Sequence, residues 1–199
     1  MRIVQLQLIL LFFILFVSGC IPDNKYNKNI KPASVQEMRA STKWASIREK
    51  NIPDLKRGQT VEIQNYYTKQ EVEQHGIASS SIVKKYVEIG TDAYDIDLRQ
   101  FTKTAMELLS KALKHRDIEN VNSGLKQVKL RAHSAEYNQG AFSASIEVSI
   151  TAELGNSKSI TASGKRDTTL NMDAAASAAL SYAISKILNH PDFIQYINQ

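Results

Sequence analysis

Residues 142–153 alternate strictly between apolar and polar side chains, and this alternation constrains the fold more than any other feature of the chain. A period of two over twelve residues predicts a long antiparallel strand with one buried face and one solvated face. The predicted buried face carries Phe142, Ala144, Ile146, Val148, Ile150 and Ala152, and the predicted polar face carries Ser143, Ser145, Glu147, Ser149, Thr151 and Glu153.

Weaker alternation on both sides of this strand predicts neighbours in the same sheet. Residues 128–133 alternate before it, and residues 158–166 alternate after the turn at Gly155-Asn156. Residues 60–67 and 82–89 are rich in β-branched and aromatic side chains, which predicts two earlier strands. Residues 71–81 have poor periodicity and predict loops.

Two segments have the spacing of helices. Asp97 is an N-cap candidate, and the apolar residues after it recur every three or four positions as far as Ala112. Asn171 or Asp173 caps an alanine-rich helix that ends before Pro191, and its small side chains predict a close approach to the sheet. The order is strand, strand, helix, three-strand meander, helix. It predicts an α+β fold, a two-layer sandwich with two helices packed on one face of a mainly antiparallel sheet.

The first twenty residues have a different character. Arg2 precedes an almost continuous apolar run that ends at Val17, which is shorter than the roughly 20 residues of a spanning helix. This pattern predicts a secretory signal over residues 1–19. A polar, irregular stretch over residues 20–40 predicts a flexible tether, and residues 41–199 then form a single α+β domain.

The segment Val17-Ser18-Gly19-Cys20 resembles the lipobox of bacterial lipoproteins. The resemblance implies that the signal is cut just before Cys20 and that this cysteine carries lipid. The alternative is a plain secreted protein with an incidental cysteine at its cleavage site. Cys20 is the only cysteine, so an internal disulfide is excluded.

The charge and the aromatic residues say less about function than the lipobox does. The formal net charge is +5, and its lysines are scattered rather than arranged in the stripe expected of a nucleic-acid-binding protein, so no nucleic-acid partner is expected. Solvated surface lysines explain this charge best, with weak attraction to anionic lipid headgroups as the alternative. Trp44, the only tryptophan, is either a buried anchor or an interfacial ring near a membrane, and burial is favoured.

No local pattern indicates catalysis, a metal or a cofactor. The histidines at positions 75, 115, 133 and 190 lack a second ligand type at metal spacing, and the acidic residues between Asp92 and Asp97 do not match a calcium-binding loop. There is no nucleophile-elbow motif. We therefore expect no enzyme activity. Any binding surface is expected on the polar strand face, at Ser143, Ser145, Glu147, Ser149 and Thr151, with a merely solvated face as the alternative.

The C-terminal half resembles small periplasmic lipoproteins of the YajG type and auxiliary lipoproteins of envelope transporters. The shared layout is a long alternating strand over residues 142–154, a second strand ending in Ser163-Gly164-Lys165, and a capped alanine-rich helix. The resemblance implies location and architecture more than activity. Ile21 stands where an aspartate would signal retention at the inner membrane in many enteric-type bacteria, which favours the outer membrane.

These patterns predict a lipoprotein held by its lipid at the periplasmic face of the bacterial outer membrane. We expect a non-enzymatic binding or accessory component of envelope assembly or transport, with an envelope protein as its partner. Two alternatives stay open. One is a carrier of a lipid or another apolar ligand, and the other is an envelope hydrolase whose site combines distant residues such as His133 or His75.

Overall fold

The computed structural model describes residues 35–66, 84–89, 92–139, 144–168 and 171–199. The predicted signal, Cys20, the predicted loop over residues 71–81 and Ser143 lie outside the described residues. Within them the chain forms eight strands, three α-helices and a short 3-10 turn, Glu49–Asn51. The strands are β1 (Val35–Met38), β2 (Thr60–Asn65), β3 (Lys84–Ile89), β4 (Asp92–Asp97), β5 (Glu119–Asn120), β6 (Lys126–Gln139), β7 (Ala144–Leu154) and β8 (Ser159–Thr168). The helices are α1 (Leu98–Lys114), α2 (Met172–Leu188) and α3 (Pro191–Asn198).

The larger sheet has five strands in the order β5-β2-β6-β7-β8. Strands β6, β7 and β8 form the predicted antiparallel meander, with Ile150 opposite Ala132 on one side and Ala162 on the other. Strand β2 pairs in parallel with both β5 and β6. The sheet is therefore mainly antiparallel by length, with a parallel edge.

A second sheet has three strands in the order β1-β4-β3, with β1 parallel and β3 antiparallel to β4. The sequence did not indicate β4, because three of its six residues are aspartates, which are uncommon in strands. Strand β1 lies within residues 20–40, the stretch predicted as tether. Met38 and Ala40 are buried in the core, so the folded part of the chain begins before residue 41.

The two long helices begin at side-chain caps, as the sequence predicts. The carboxylate of Asp97 accepts a hydrogen bond from the Arg99 N–H at 2.9 Å, at the start of α1. The side chain of Asn171 accepts from the Ala174 N–H at 2.9 Å, so Asn171, not Asp173, caps α2. Helix α3 begins with Pro191 at its first turn, where the missing N–H has no intrahelical partner to lose. The sequence predicted only a short apolar patch there.

The two long helices pack on one face of the five-stranded sheet and contact each other. Helix α1 covers β6 and β2, and helix α2 covers β7 and β8. The apolar side of β7 is completely buried against them at Ile146, Val148, Ile150 and Ala152. The predicted α+β architecture with two helices on one sheet face is confirmed.

Buried Thr102 links α1 to the sheet at the point where β2 ends. Its hydroxyl donates to the Leu98 carbonyl and accepts from the Ala132 N–H, both at 2.9 Å. Strand β2 reaches only as far as Leu130 along β6, and a register shift follows between Ala132 and Ser134. The threonine therefore supplies an acceptor to a buried amide just beyond the end of its neighbouring strand, where an unsatisfied group would be costly.

Helix α2 approaches β8 so closely that only glycine fits at position 164. A Cβ atom added to Gly164 would overlap the Ala179 carbonyl oxygen and would lie 2.6 Å from the Ala183 nitrogen. Both contacts are with helix backbone, which cannot turn aside as a side chain can. The alanine-rich sequence of α2 supplies the other half of this close approach, as its composition predicts.

We expect Gly164→Ala to lower the free energy of unfolding by about 3 kcal/mol, since an extra carbon forced into a packed contact must move the helix. Urea denaturation followed by circular dichroism measures this loss. The matched control is Gly58→Ala. Gly58 has a φ of +71° but no atom within 4 Å of an added Cβ, so its cost of about 1 kcal/mol comes from the backbone alone. Equal losses for the two variants would contradict the steric explanation.

Candidate functional site

The polar face of β7 is less open than its alternation predicts. Ser145 and Ser149 are buried, with 6% and 9% of their surfaces exposed, whereas Glu147 and Thr151 are partly exposed. Strand β7 lies between β6 and β8, and a serine side chain ends close to the backbone. Side chains of both neighbouring strands therefore shield it. The uniformly solvated face expected from the sequence is not what the structure shows.

Hydroxyl groups on this face bond to one another across the strands. Ser149 Oγ and Ser163 Oγ are 2.6 Å apart, and Thr151 Oγ1 and Thr161 Oγ1 are 2.9 Å apart. Thr151 Oγ1 also lies 3.3 Å from the Nδ1 atom of His133. These pairs are cross-strand contacts that stabilise the sheet, so Ser149 and Thr151, two of the predicted binding residues, have a structural role.

His133 and Arg131 are the residues of this face with ring or electrostatic interactions. The Arg131 guanidinium carbon lies 5.0 Å from the centre of the Tyr66 ring, within the range of a cation–π contact. Loss of hydration lowers the pKa of His133 below its ordinary value of 6.5, and the positive charge of Arg131 lowers it further. The imidazole is therefore held in its neutral form to a lower pH than a free histidine.

We expect an NMR titration to give His133 a pKa below 6.5, and Arg131→Gln to raise it part of the way back. Between the folded-state pKa and 6.5 the unfolded chain binds more protons than the folded chain. The contribution of His133 to stability is therefore present above pH 6.5 and is lost as the pH falls through that window. Arg131→Lys, which keeps the charge, is the control. A pKa at or above 6.5 in the wild type would contradict this explanation.

The histidines do not converge on a metal site in the part of the chain that the structure describes. Among those residues, no three His, Cys, Asp or Glu side chains come together as possible ligands. His115 follows the last residue of α1, and His190 caps α3 by accepting from the Asp192 N–H at 3.2 Å. His75 lies outside the described residues. No helix in the described ranges is long and apolar enough to cross a membrane.

A second surface forms where residues 39–51, called here the 39–51 segment, run along α2. The segment is held by polar side chains of the helix that recur at four-residue intervals. Asp173, Ser177 and Ser181 accept from the backbone N–H groups of Arg39, Ser41 and Ser46 at 2.9, 2.9 and 3.1 Å. Asn189, just after the helix, donates to the Asn51 carbonyl at 2.9 Å. Backbone that forms no strand thereby obtains part of its hydrogen bonds from α2. Side chains of α1 also bond to the backbone of Ala40.

The 39–51 segment, α2 and the end of β8 enclose a groove of about 510 Å³, called here the Trp44 groove. The aromatic side chains at this groove are Trp44 and Tyr182, which are 47% and 48% exposed. The expectation that Trp44 is buried was wrong. Hydrogen bonds from α2 hold the backbone around it at the surface, so the indole does not need to enter the core.

The charged side chains that line the Trp44 groove are all basic: Arg48, Lys50 and Arg166. Arg166 Nη1 lies 3.5 Å from the Tyr182 hydroxyl oxygen. Lys43, next to the groove in sequence, has its ammonium nitrogen 5.1 Å from the centre of the Trp44 ring. Cations and exposed aromatic rings on one concave surface can bind an anionic group that is attached to a less polar one.

The groove was not predicted from the sequence, although two signals for it are present there. Serines at positions 177 and 181 interrupt the alanine-rich helix at a spacing of four, which places both hydroxyls on one side of it. Trp44 lies among Lys43, Arg48 and Lys50 in a stretch with weak periodicity. Neither signal indicates that the two regions come together, because that requires the tertiary fold.

Comparison with known proteins assigns no family to the chain. No model of a known protein family matches it, and no curated protein matches it.

Proposed function

We propose that the protein is a bacterial lipoprotein, anchored through lipid on Cys20 at the periplasmic face of the outer membrane. In this proposal the folded domain is a non-enzymatic binding or accessory component of envelope assembly or transport. The observation that carries the proposal is the sequence Val17-Ser18-Gly19-Cys20 at the end of a short apolar run. Ile21, rather than aspartate, supports the outer membrane as the location.

The start of the fold is compatible with such an anchor. Fourteen residues separate Cys20 from β1, which begins at Val35. A fully extended chain of that length spans at most about 50 Å, so the domain would stay within one or two of its own diameters of the bilayer. Each buried CH₂ group contributes about 0.8 kcal/mol, so several acyl chains together give durable attachment.

The chemical groups on the described surfaces favour a binding function over a catalytic one. The Trp44 groove presents exposed aromatic rings and cations on a concave surface. The β7 face presents hydroxyls that are already bonded to one another. Exposed aromatic rings and cations, as in the Trp44 groove, are the groups that recognise a partner or ligand. An envelope protein is the expected partner, and attachment to the membrane is expected through the lipid.

We expect the full chain, expressed in an enteric bacterium with a clickable palmitate analogue, to become labelled and to sediment with the outer membrane. Cys20→Ser should carry no label, because a hydroxyl cannot form the thioether that holds the lipid. In-gel fluorescence of the separated membranes measures both properties. A label that is absent from the wild type, or equal in Cys20→Ser, would contradict the anchor.

Ile21→Asp is the matched control for this experiment. It leaves Cys20 intact, so the label should remain, while the aspartate should move the protein to the inner-membrane fraction. Unchanged sorting of this variant would contradict the outer-membrane part of the proposal and leave the lipid anchor supported.

A further inference from the structure

We propose that the Trp44 groove is a docking site for anionic phospholipid headgroups. Through this groove the folded domain binds the surface of the membrane that holds its lipid anchor. This inference rests on the proposed function, since the anchor brings the domain to the bilayer. In the docked state the headgroup phosphate lies among Arg48, Lys50 and Arg166, and the rings of Trp44 and Tyr182 enter the interfacial region.

The first argument is charge complementarity. The groove is lined by three cations and no carboxylate, and none of these cations forms an ion pair with a described residue. Glu49 lies between Arg48 and Lys50 in sequence, but its carboxylate is 3.9 Å from the Arg116 guanidinium, and Glu49 does not line the groove. Lys43 adds a fourth positive charge beside Trp44. Uncompensated cations that share one concavity favour an anionic occupant.

The second argument is the exposure of the aromatic rings. Among the described residues, the large apolar or aromatic side chains with marked exposure are Trp44, Leu125 and Tyr182. Two of these three line the same groove. Trp and Tyr suit a membrane–water interface, because the ring is apolar while the indole N–H or phenol O–H can still reach water or a headgroup.

The third argument is position. Trp44 lies only 24 residues after Cys20, and the 39–51 segment is the first part of the folded chain after β1. A tether of this length keeps the groove at a high effective concentration near the lipid surface, so each cation needs to contribute little. The groove volume of about 510 Å³ is within the usual range for small-ligand sites, about 300–1,000 Å³, and can admit a headgroup.

The fluorescence emission of Trp44 reports on docking, because the chain has no other tryptophan. The lipidated full-length protein is reconstituted into vesicles of phosphatidylcholine alone or with 30% phosphatidylglycerol, each with and without brominated acyl chains. We expect a blue shift of the emission and quenching by bromine only when phosphatidylglycerol is present. Salt at 1 M, where the screening length is about 3 Å, should reverse both effects.

Variants that remove one positive charge test whether the cations of the groove cause the change in Trp44 emission. Each of Arg48→Gln, Lys50→Gln and Arg166→Gln should lower the ratio of docked to undocked protein about fivefold, the effect expected for one cation near an anionic surface. Lys129→Gln is the matched control. It removes the same charge from an exposed residue of β6, outside the groove, and should leave the ratio unchanged. Circular dichroism melting of each variant checks that the fold is intact.

The outcomes separate docking from anchoring. Protein that fails to float with either kind of vesicle contradicts the anchor. Protein that floats with both, and whose Trp44 emission is the same in both, contradicts docking and leaves the anchor supported. An equal response of Trp44 to soluble glycerol 3-phosphate over phosphatidylcholine vesicles would assign the groove to a free phosphorylated compound and overturn the membrane proposal.

Discussion

The close contact between Gly164 and the backbone of α2 sets the position of this helix on the sheet. It lets the helix lie against β8 with no side chain between them at this point. The same helix buries Ala176, Ala179 and Ala183 on its sheet side. Its polar residues Ser177 and Ser181 then hold the 39–51 segment. One helix thus positions the sheet core on one side and the groove-forming segment on another.

This arrangement explains how the chain presents an aromatic and basic surface at the Trp44 groove. The 39–51 segment buries only the small side chains of Ala40 and Ala45 in the core. Hydrogen bonds from its backbone to side chains of α2 fix its position as well. Trp44 and the neighbouring cations are consequently held at the surface, beside Tyr182 and Arg166. Such an arrangement suits a domain that is proposed to work beside a membrane, because the surface nearest the anchor in sequence is both aromatic and basic.

The sequence predicted secondary structure correctly where the local pattern and the tertiary environment favour the same element. The alternation of β7, the stripe of α1 and the cap at Asp97 all follow from short-range rules, and the structure confirms them. It was a poor guide to β4, where aspartates occupy strand positions, and to β1, which was predicted as tether. Strands β1 and β4 are far apart in sequence and pair with each other, and this pairing outweighs local preference in both. Trp44 and the buried serines Ser145 and Ser149 were misjudged for the same reason, since their exposure depends on neighbours far away in sequence.

Hydrogen exchange on the Gly164→Ala variant tests most directly whether the position of α2 determines the groove. If it does, the amides of Ser41 and Ser46, which donate to serines of α2, should lose protection together with the helix. Amides shared between β6 and β7, such as those near Leu130 and Ala152, should keep most of theirs. Unchanged protection of the 39–51 segment in a variant whose α2 amides exchange faster would show that the groove does not depend on the position of α2.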